Sequence, residues 1–204
     1  MNHSSQTLFD GRSLAGWQMS TIRGGKDDPG HFEVVDGVLE AVPGNDIGLL
    51  WHTEPAPADF QLSVEWLSTR RDDNSGVFVR FPNPESRGYE ATAWVAVDFG
   101  FEIQIDDLAR PDGDPAHKTA AVYEQQAPDR PEHLPVKPLG EWNRFDIRVA
   151  GQTYDITLNG VPVTHFVNRD SGRGVPSRPG EPSYVGIQAH TGRVRFRNVV
   201  LVPL

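Results

Sequence analysis

Short runs in which apolar and polar residues alternate fill this sequence, and turn signals separate them throughout the chain. Such alternation indicates β-strands, because successive side chains on a strand point to opposite faces. Asp36-Gly37 and Asn159-Gly160 each stand between two such runs and predict two-residue hairpin turns. No stretch shows the 3.6-residue period of an amphipathic helix. We therefore predict an all-β fold, a two-sheet antiparallel β-sandwich or jelly roll with about a dozen strands.

The predicted strands follow one another without a change in composition, which favours a single domain over residues 1–204. Their ranges are 31–35 with 38–42, 48–52, 59–69, 75–81, 99–106, 118–123, 142–150 with 154–158, 161–166, 184–190 and 193–204. Residues 82–98 are predicted to form a long irregular excursion. Loops of that length are uncommon unless they carry function.

Charge and composition exclude several classes of function. The formal net charge of −9 argues against nucleic acid and anionic membranes as partners, since both select basic patches. The chain has no cysteine and no H-x-H or H-E-x-x-H spacing, so we predict neither a transition-metal site nor a cofactor. The aspartates between Asp106 and Asp114 could hold a structural Ca²⁺, but a solvated loop is the preferred interpretation.

The predicted location rests on the N-terminal residues. Residues 1–7 have neither a basic stretch nor an apolar core, so they do not form a signal peptide. No apolar run reaches transmembrane length. We expect a cytoplasmic chain as given, with a periplasmic or extracellular location open if a leader was removed.

One predicted strand, residues 99–106, has an unusual polar face. Apolar residues occupy one side, and the other side carries Glu102, Gln104 and Asp106 without a cation. Same-face neighbours on a strand lie about 6.6 Å apart. Carboxylates held this close are unfavourable unless something compensates, and such pairs are typical of acid/base sites. A solvated face on an exterior strand is the alternative interpretation.

Polar side chains on other strands extend this pattern. Strand faces opposite the apolar sets carry Glu65, Arg80, Glu102, Gln104, Asp106, Gln188 and His190. If the strands are neighbours, these residues line one groove suited to sugar hydroxyls. Aromatic rings that could stack on a sugar are Tyr89, Trp94, Tyr123 and Trp142. Arg80 could instead form a structural salt bridge with Glu65 or Glu102, and His190 is equally well explained as a structural residue.

Eight motifs in order carry a family resemblance over nearly the whole chain. They are Leu8–Trp17, Glu65–Trp66, Asn74–Arg80, Phe101–Asp106, Gly140–Asn143, Leu158–Gly160, Gly186–His190 and Val194–Val200. Together they resemble the 3-keto-disaccharide hydrolase domain family. The resemblance implies a concanavalin A-like lectin/glucanase jelly roll and a carbohydrate substrate, in some members a glycoside oxidised to a ketone at C3. The long segment between Arg80 and Phe101 departs from the family pattern.

The resemblance implies a reaction that needs a base, a group that stabilises an enolate and an acid. We assign Glu102 as the base and Arg80 or His190 as the enolate stabiliser or acid. Predicted substrate ligands are Glu65, Asn74, Gln104, Asp106, Tyr123, Trp142 and Gln188.

Three alternatives stay open. The first is an ordinary retaining glycosidase that uses Glu102 and Asp106, four residues apart on one strand. The second is a non-catalytic carbohydrate-binding module, and the aligned carboxylates favour an enzyme over it. The third is a β-sandwich interaction domain without a sugar ligand.

Overall fold

The computed structural model describes residues 4–24 and 27–204. Residues 1–3, part of the stretch on which the predicted location rests, lie outside the described residues, as do residues 25–26. The described strands are β1 Gln6–Thr7, β2 Trp17–Met19, β3 His31–Val35, β4 Val38–Val42, β5 Gly48–His52, β6 Phe60–Leu67, β7 Asn74–Phe81, β8 Phe101–Asp106, β9 Asn143–Ala150, β10 Thr153–Leu158, β11 Val161–Val167, β12 Tyr184–Ala189 and β13 Arg195–Pro203.

The strands form two antiparallel sheets, which confirms the predicted all-β sandwich. The larger sheet has the order β11-β10-β9-β6-β13-β4-β3, with β1 paired to β13, and the smaller has the order β2-β5-β12-β7-β8. Both predicted hairpin turns are present. Asp36 and Gly37 have φ values of 50° and 82°, as do Asn159 and Gly160, which matches the turn type that suits twisted strands.

The core lies between the sheets, where alternate side chains of each strand meet. β6 and β9 contribute one layer, which includes Leu62 and Ile147, and β7 and β8 contribute the other, which includes Val77 and Ile103. These side chains are at most 1% exposed. The alternation seen in the sequence therefore reports which face of each strand enters the core.

The segment after β7 differs from the predicted irregular excursion. It contains a 3₁₀ turn at Pro84–Ser86 and one short helix, α1, at Trp94–Phe99. The helix packs Ala96 and Val97, together with the preceding Ala93, against apolar side chains on the outer face of the smaller sheet. Its six residues are too few to give a periodic pattern.

Residues 118–123, predicted as a short strand, instead form turns that lie along the edge of β8. The backbone N–H of Gln104 donates to Ala121, and that of Tyr123 donates to Glu102. This segment covers an edge strand that would otherwise expose unpaired backbone groups. Among the described residues, no helix has the length and hydropathy needed to cross a membrane.

Candidate active site

A groove of about 760 Å³ lies on the outer face of the smaller sheet. Its floor comes from β8, β7 and β12, and its walls come from the 44–47 loop, α1 and the 107–124 segment. The strand register explains the floor. Gly76 of β7 pairs with Gln104 of β8. On its other side, the pairing of Val77 with Ile187 brings Gly76 level with Gln188 of β12. The side chains of the two strands that flank β7 therefore meet above a glycine.

Gly76 makes room for the carboxyl group of Glu102. A Cβ atom at Gly76 would lie 2.6 Å from Cγ of Glu102 and 2.7 Å from its carboxyl carbon. Real Cβ atoms do not approach carbon so closely, so the carboxyl group occupies the space that a side chain on β7 would fill. Glu102 is thus folded back over the sheet and only 6% exposed.

Burial gives Glu102 an unusual acidity. Desolvation, followed by the negative charges of Asp106 and Glu124, raises the pKa of Glu102 to about 8. Its buried Oε1 has no hydrogen-bond donor in the described part of the chain. A carboxyl group with this pKa, when ionised, is a far stronger base than an ordinary glutamate.

Two neighbouring amides also present unpaired oxygens. Oδ1 of Asn74 and Oε1 of Gln188 are buried and lack donors among the described residues. Both side chains line the groove, as does Gln104. Buried acceptors without partners are costly, so this floor is suited to a ligand that brings several hydroxyl donors.

Asp106 is a supporting residue, and its predicted place as a groove ligand is wrong. Its side chain is fully buried and does not line the groove. Its oxygens accept from Asn74 Nδ2, from the backbone N–H of Leu108 and from both the backbone N–H and Nε of Arg110. With its lone pairs occupied in this way, Asp106 is poorly placed to act as the nucleophile of a retaining glycosidase.

Arg110 brings the positive charge that the groove floor lacks. Its Nε lies 3.2 Å from Asp106 Oδ2, and its Nη2 donates to the carbonyl of Asp72 at 2.7 Å. The side chain remains 33% exposed and lines the groove. The guanidinium is therefore held through Nε and Nη2, and Nη1 can donate a hydrogen bond to a ligand.

His190 and Tyr123 also lie at the groove, as predicted. Desolvation and the positive charge of Arg110 lower the pKa of His190. Tyr123 stacks on the His117 ring with centroids 4.7 Å apart, and His117 Nδ1 lies 2.8 Å from Asp112. This stack fixes the orientation of the Tyr123 ring at the groove wall.

Arg80 does not lie in the groove, which corrects its predicted role there. Its φ of 56° and the register shift between β7 and β12 mark it as an extra residue in β7. The bulge turns Arg80 to the end of the sandwich, where it donates to the carbonyls of Ala58 and Gly151 and pairs with Asp59. The same bulge places Phe81 on the outer face beside Phe78, whereas strict alternation with Val77 and Val79 would point it into the core. The predicted structural salt bridge of Arg80 therefore exists, but with Asp59.

Glu65 and Trp142 lie on the outer face of the larger sheet, so their predicted place in the groove is also wrong. Glu65 Oε2 pairs with Arg197 Nε at 2.7 Å, and the Arg197 guanidinium lies 4.0 Å from the Trp142 ring centroid. Both sheets of a sandwich have a polar outer face. Alternation assigns a residue to such a face but does not say to which sheet it belongs.

Several groove residues were missed by the sequence reasoning. Arg110 and Glu124 belong to loops without a periodic pattern, and Gly76 matters only because of its neighbour across the sheet. Trp94 was noted only as a ring that could stack on a sugar. It lies on α1, lines the groove and is 41% exposed.

The aspartates considered as Ca²⁺ ligands form hydrogen bonds within their own loop. Asp112 accepts from the backbone N–H of Asp114, and Asp114 caps the 3₁₀ turn Pro115–His117. In the part of the chain that the structure describes, no three histidine, aspartate or glutamate side chains gather as a metal-ligand cluster.

Solved structures share this architecture at low sequence identity. A candidate glycosyl hydrolase from Parabacteroides distasonis superposes with a TM-score of 0.74 and 22% identity over 98% of this chain and 94% of that chain. A Bacillus subtilis protein of unknown function with a galectin-like fold gives 0.65 and 12% over 98% and 94%. A carbohydrate-binding module from Bacillus subtilis gives 0.55 and 12% over 90% and 93%. No curated protein shows significant sequence similarity to this chain.

The two antiparallel sheets, with an acidic groove on the outer face of the smaller one, define an all-β jelly roll of galectin-like architecture. The chain belongs to the 3-keto-alpha-glucoside-1,2-lyase-like domain family, whose model matches residues 4–202. This match confirms the resemblance found in the eight sequence motifs.

Proposed function

We propose that this protein cleaves the glycosidic bond of a 3-keto-glycoside by elimination followed by addition of water. The observation that carries the proposal is the buried carboxyl group of Glu102, with a pKa of about 8 and a free Oε1, on the floor of the groove. Family membership supports a keto-sugar substrate.

The chemistry begins at C2 of the keto sugar. A ketone at C3 acidifies the C2 proton, and ionised Glu102 accepts that proton while the C2–H electron pair forms an enolate with its charge on the C3 oxygen. Nη1 of Arg110 stabilises this oxygen, the role first given to Arg80. The groove excludes bulk water from Glu102, which strengthens both interactions.

Departure of the C1 substituent completes the elimination. As the enolate collapses, the C1–O bond breaks, and the leaving oxygen takes a proton from a water molecule that His190 holds; the lowered pKa of His190 keeps its imidazole neutral at the pH at which Glu102 is ionised. The hydroxide that this water leaves adds to C1, and Glu102, after its carboxylic proton has exchanged with solvent, protonates C2. The net result is hydrolysis into a 3-keto sugar and an alcohol.

The remaining groove residues bind the substrate. The acceptor oxygens of Asn74 and Gln188 take hydrogen bonds from sugar hydroxyls, and Gln104 borders the same floor. The rings of Trp94 and Tyr123, which both line the groove, are suited to sugar faces.

Product analysis with paired substrates tests the proposal. The protein is incubated with a disaccharide and with its 3-keto derivative, and the products are identified by NMR and mass spectrometry. We expect cleavage of the keto form alone. Cleavage of the plain disaccharide would support an ordinary glycosidase instead. Binding of both sugars without cleavage would support a non-catalytic module, the activity that a structurally similar protein carries in its name.

A further inference from the structure

A second cavity of about 460 Å³ opens at one end of the sandwich. Trp66 of β6 and Ile105 of β8, 2% and 1% exposed, form its apolar floor between the two sheets. The 131–139 segment forms one wall. The cavity shares no lining residue with the groove, because Ile105 points to the opposite face of β8 from Gln104.

The indole of Trp66 borders this cavity with an unsatisfied donor. Its buried Nε1 has no hydrogen-bond acceptor among the described residues. Trp17 shows the usual arrangement, in which Nε1 donates to the carbonyl of Leu8 at 2.7 Å. An oxygen of a ligand at the cavity floor would supply the acceptor that Trp66 lacks.

The mouth of the cavity is richer in positive charge than the chain as a whole. Four cations line it, Arg70, Arg71, Lys118 and Lys137, against three acidic residues, in a chain with a net charge of −9. Arg70 and Arg71 are paired with Asp72 and Asp107. Lys137 forms no ion pair among residues 4–24 and 27–204, so its ammonium group is available to an anion.

Apolar side chains join the floor to the mouth. Val136 is 36% exposed and Leu139 is 50% exposed, and both line the cavity. They leave apolar surface in contact with water beside the charged rim, which a hydrocarbon body would cover. The three features together describe one ligand with an acceptor at one end, an apolar middle and an anion at the other end.

We propose that this cavity binds a small hydroxyaryl carboxylate. The hydroxyl oxygen accepts from Trp66 Nε1, the aryl body packs against Ile105 and the 131–139 wall, and the carboxylate pairs with Lys137. The site is independent of the groove and of the chemistry proposed there.

The probe is 4-hydroxycinnamate, titrated into the ¹⁵N-labelled protein while the indole N–H signals of its tryptophans are followed by NMR. Trp66→Phe assigns the Trp66 signal. We expect saturable binding with a Kd below about 1 mM that shifts the Trp66 indole signal. Cinnamate, which lacks the hydroxyl group, and the amide of 4-hydroxycinnamate, which lacks the charge, should each bind at least fivefold more weakly.

Variants separate this site from other surfaces. Trp66→Phe and Lys137→Gln should each weaken 4-hydroxycinnamate binding about fivefold, whereas Trp94→Phe, on the wall of the groove, should leave it unchanged. The proposal is overturned if binding does not saturate, if the Trp94 signal shifts in place of Trp66, or if both variants bind as the wild type does. Lys137→Gln keeps the test valid should Trp66→Phe fail to fold.

Discussion

At the scale of single residues, the chemistry proposed for the groove depends on the desolvation of Glu102. The carboxyl group occupies space left by Gly76, and it has acidic neighbours but, among residues 4–24 and 27–204, no cation in contact. Sequence alternation was sufficient to place Glu102 on the polar face of its strand. It could not reveal the burial, which comes from loops and from a glycine on the neighbouring strand.

The pH dependence of catalysis follows from the pKa of Glu102. Since the base must be ionised, kcat/KM for a 3-keto-disaccharide should rise about tenfold per pH unit at low pH and level off above a pKa of about 8. The measurement is a pH–rate profile from pH 5 to 10. A profile that is already flat at pH 6 would contradict this role for Glu102.

The same pKa affects stability. Because the folded pKa of Glu102 exceeds its value of 4.5 when exposed, the folded state binds more protons between pH 4.5 and about 8. The free energy of unfolding should therefore fall as pH rises through this window, by no more than about 1.4 kcal/mol per pH unit, and the slope should end above it. Urea unfolding of Glu102→Gln should lack this contribution, whereas the exposed control Glu141→Gln should retain it.

Gly76→Ala tests the space beside Glu102. The methyl group would displace the carboxyl group toward solvent, so kcat should fall by about a hundredfold or more and the pKa in the rate profile should move down. Gly172→Ala is the matched control, because a Cβ atom there meets only Asp170 Oδ1, at 3.3 Å. Equal activity of the two variants would show that Gly76 does not position Glu102.

At the scale of elements, one bulge separates the predicted site from the observed one. The extra residue in β7 turns Arg80 away from the groove and brings Phe81 into the cluster beneath α1. Strict alternation along residues 74–81 gives the wrong face for everything after Val79. A bulge depends on backbone twist and on the partner strand, so alternation alone does not reveal it.

Arg80 should therefore contribute to stability and not to catalysis. Arg80→Met removes a buried guanidinium that donates to the carbonyls of Ala58 and Gly151, and should cost about 3 kcal/mol in denaturant unfolding. The exposed Arg178→Met should cost less than about 1 kcal/mol. The folded fraction of Arg80→Met should keep wild-type kcat. A large loss of kcat with unchanged stability would instead support the catalytic role that the sequence analysis assigned to Arg80.

At the scale of the whole molecule, each of the two sheets has a polar outer face that could carry the active site. The sequence predicted the sandwich, its hairpins and most strand positions, because these depend on local turns and alternation. It combined residues of both outer faces into one groove, because the assignment of strands to sheets depends on long-range pairing. Glu65 belongs with β6 in the larger sheet, whereas Glu102 belongs with β8 in the smaller.

The same substitution on each face distinguishes them. Trp94→Ala removes an exposed ring from the groove wall and should raise KM about tenfold, the loss of one stacking contact. Trp142→Ala removes a ring from the other face and should change kcat/KM by less than about twofold. Steady-state kinetics on a 3-keto-disaccharide measures both, and a larger effect at Trp142 would assign the function to the larger sheet.

The most direct test of the account follows the C2 proton. A 3-keto-disaccharide is cleaved in D₂O, and the keto-sugar product is examined by NMR and mass spectrometry, with an enzyme-free sample as the control for spontaneous exchange. Elimination and addition of water through Glu102 predict one deuterium at C2 with the wild type and no cleavage with Glu102→Gln. A product that retains its C2 hydrogen, or a Glu102→Gln protein with full activity, would contradict the account.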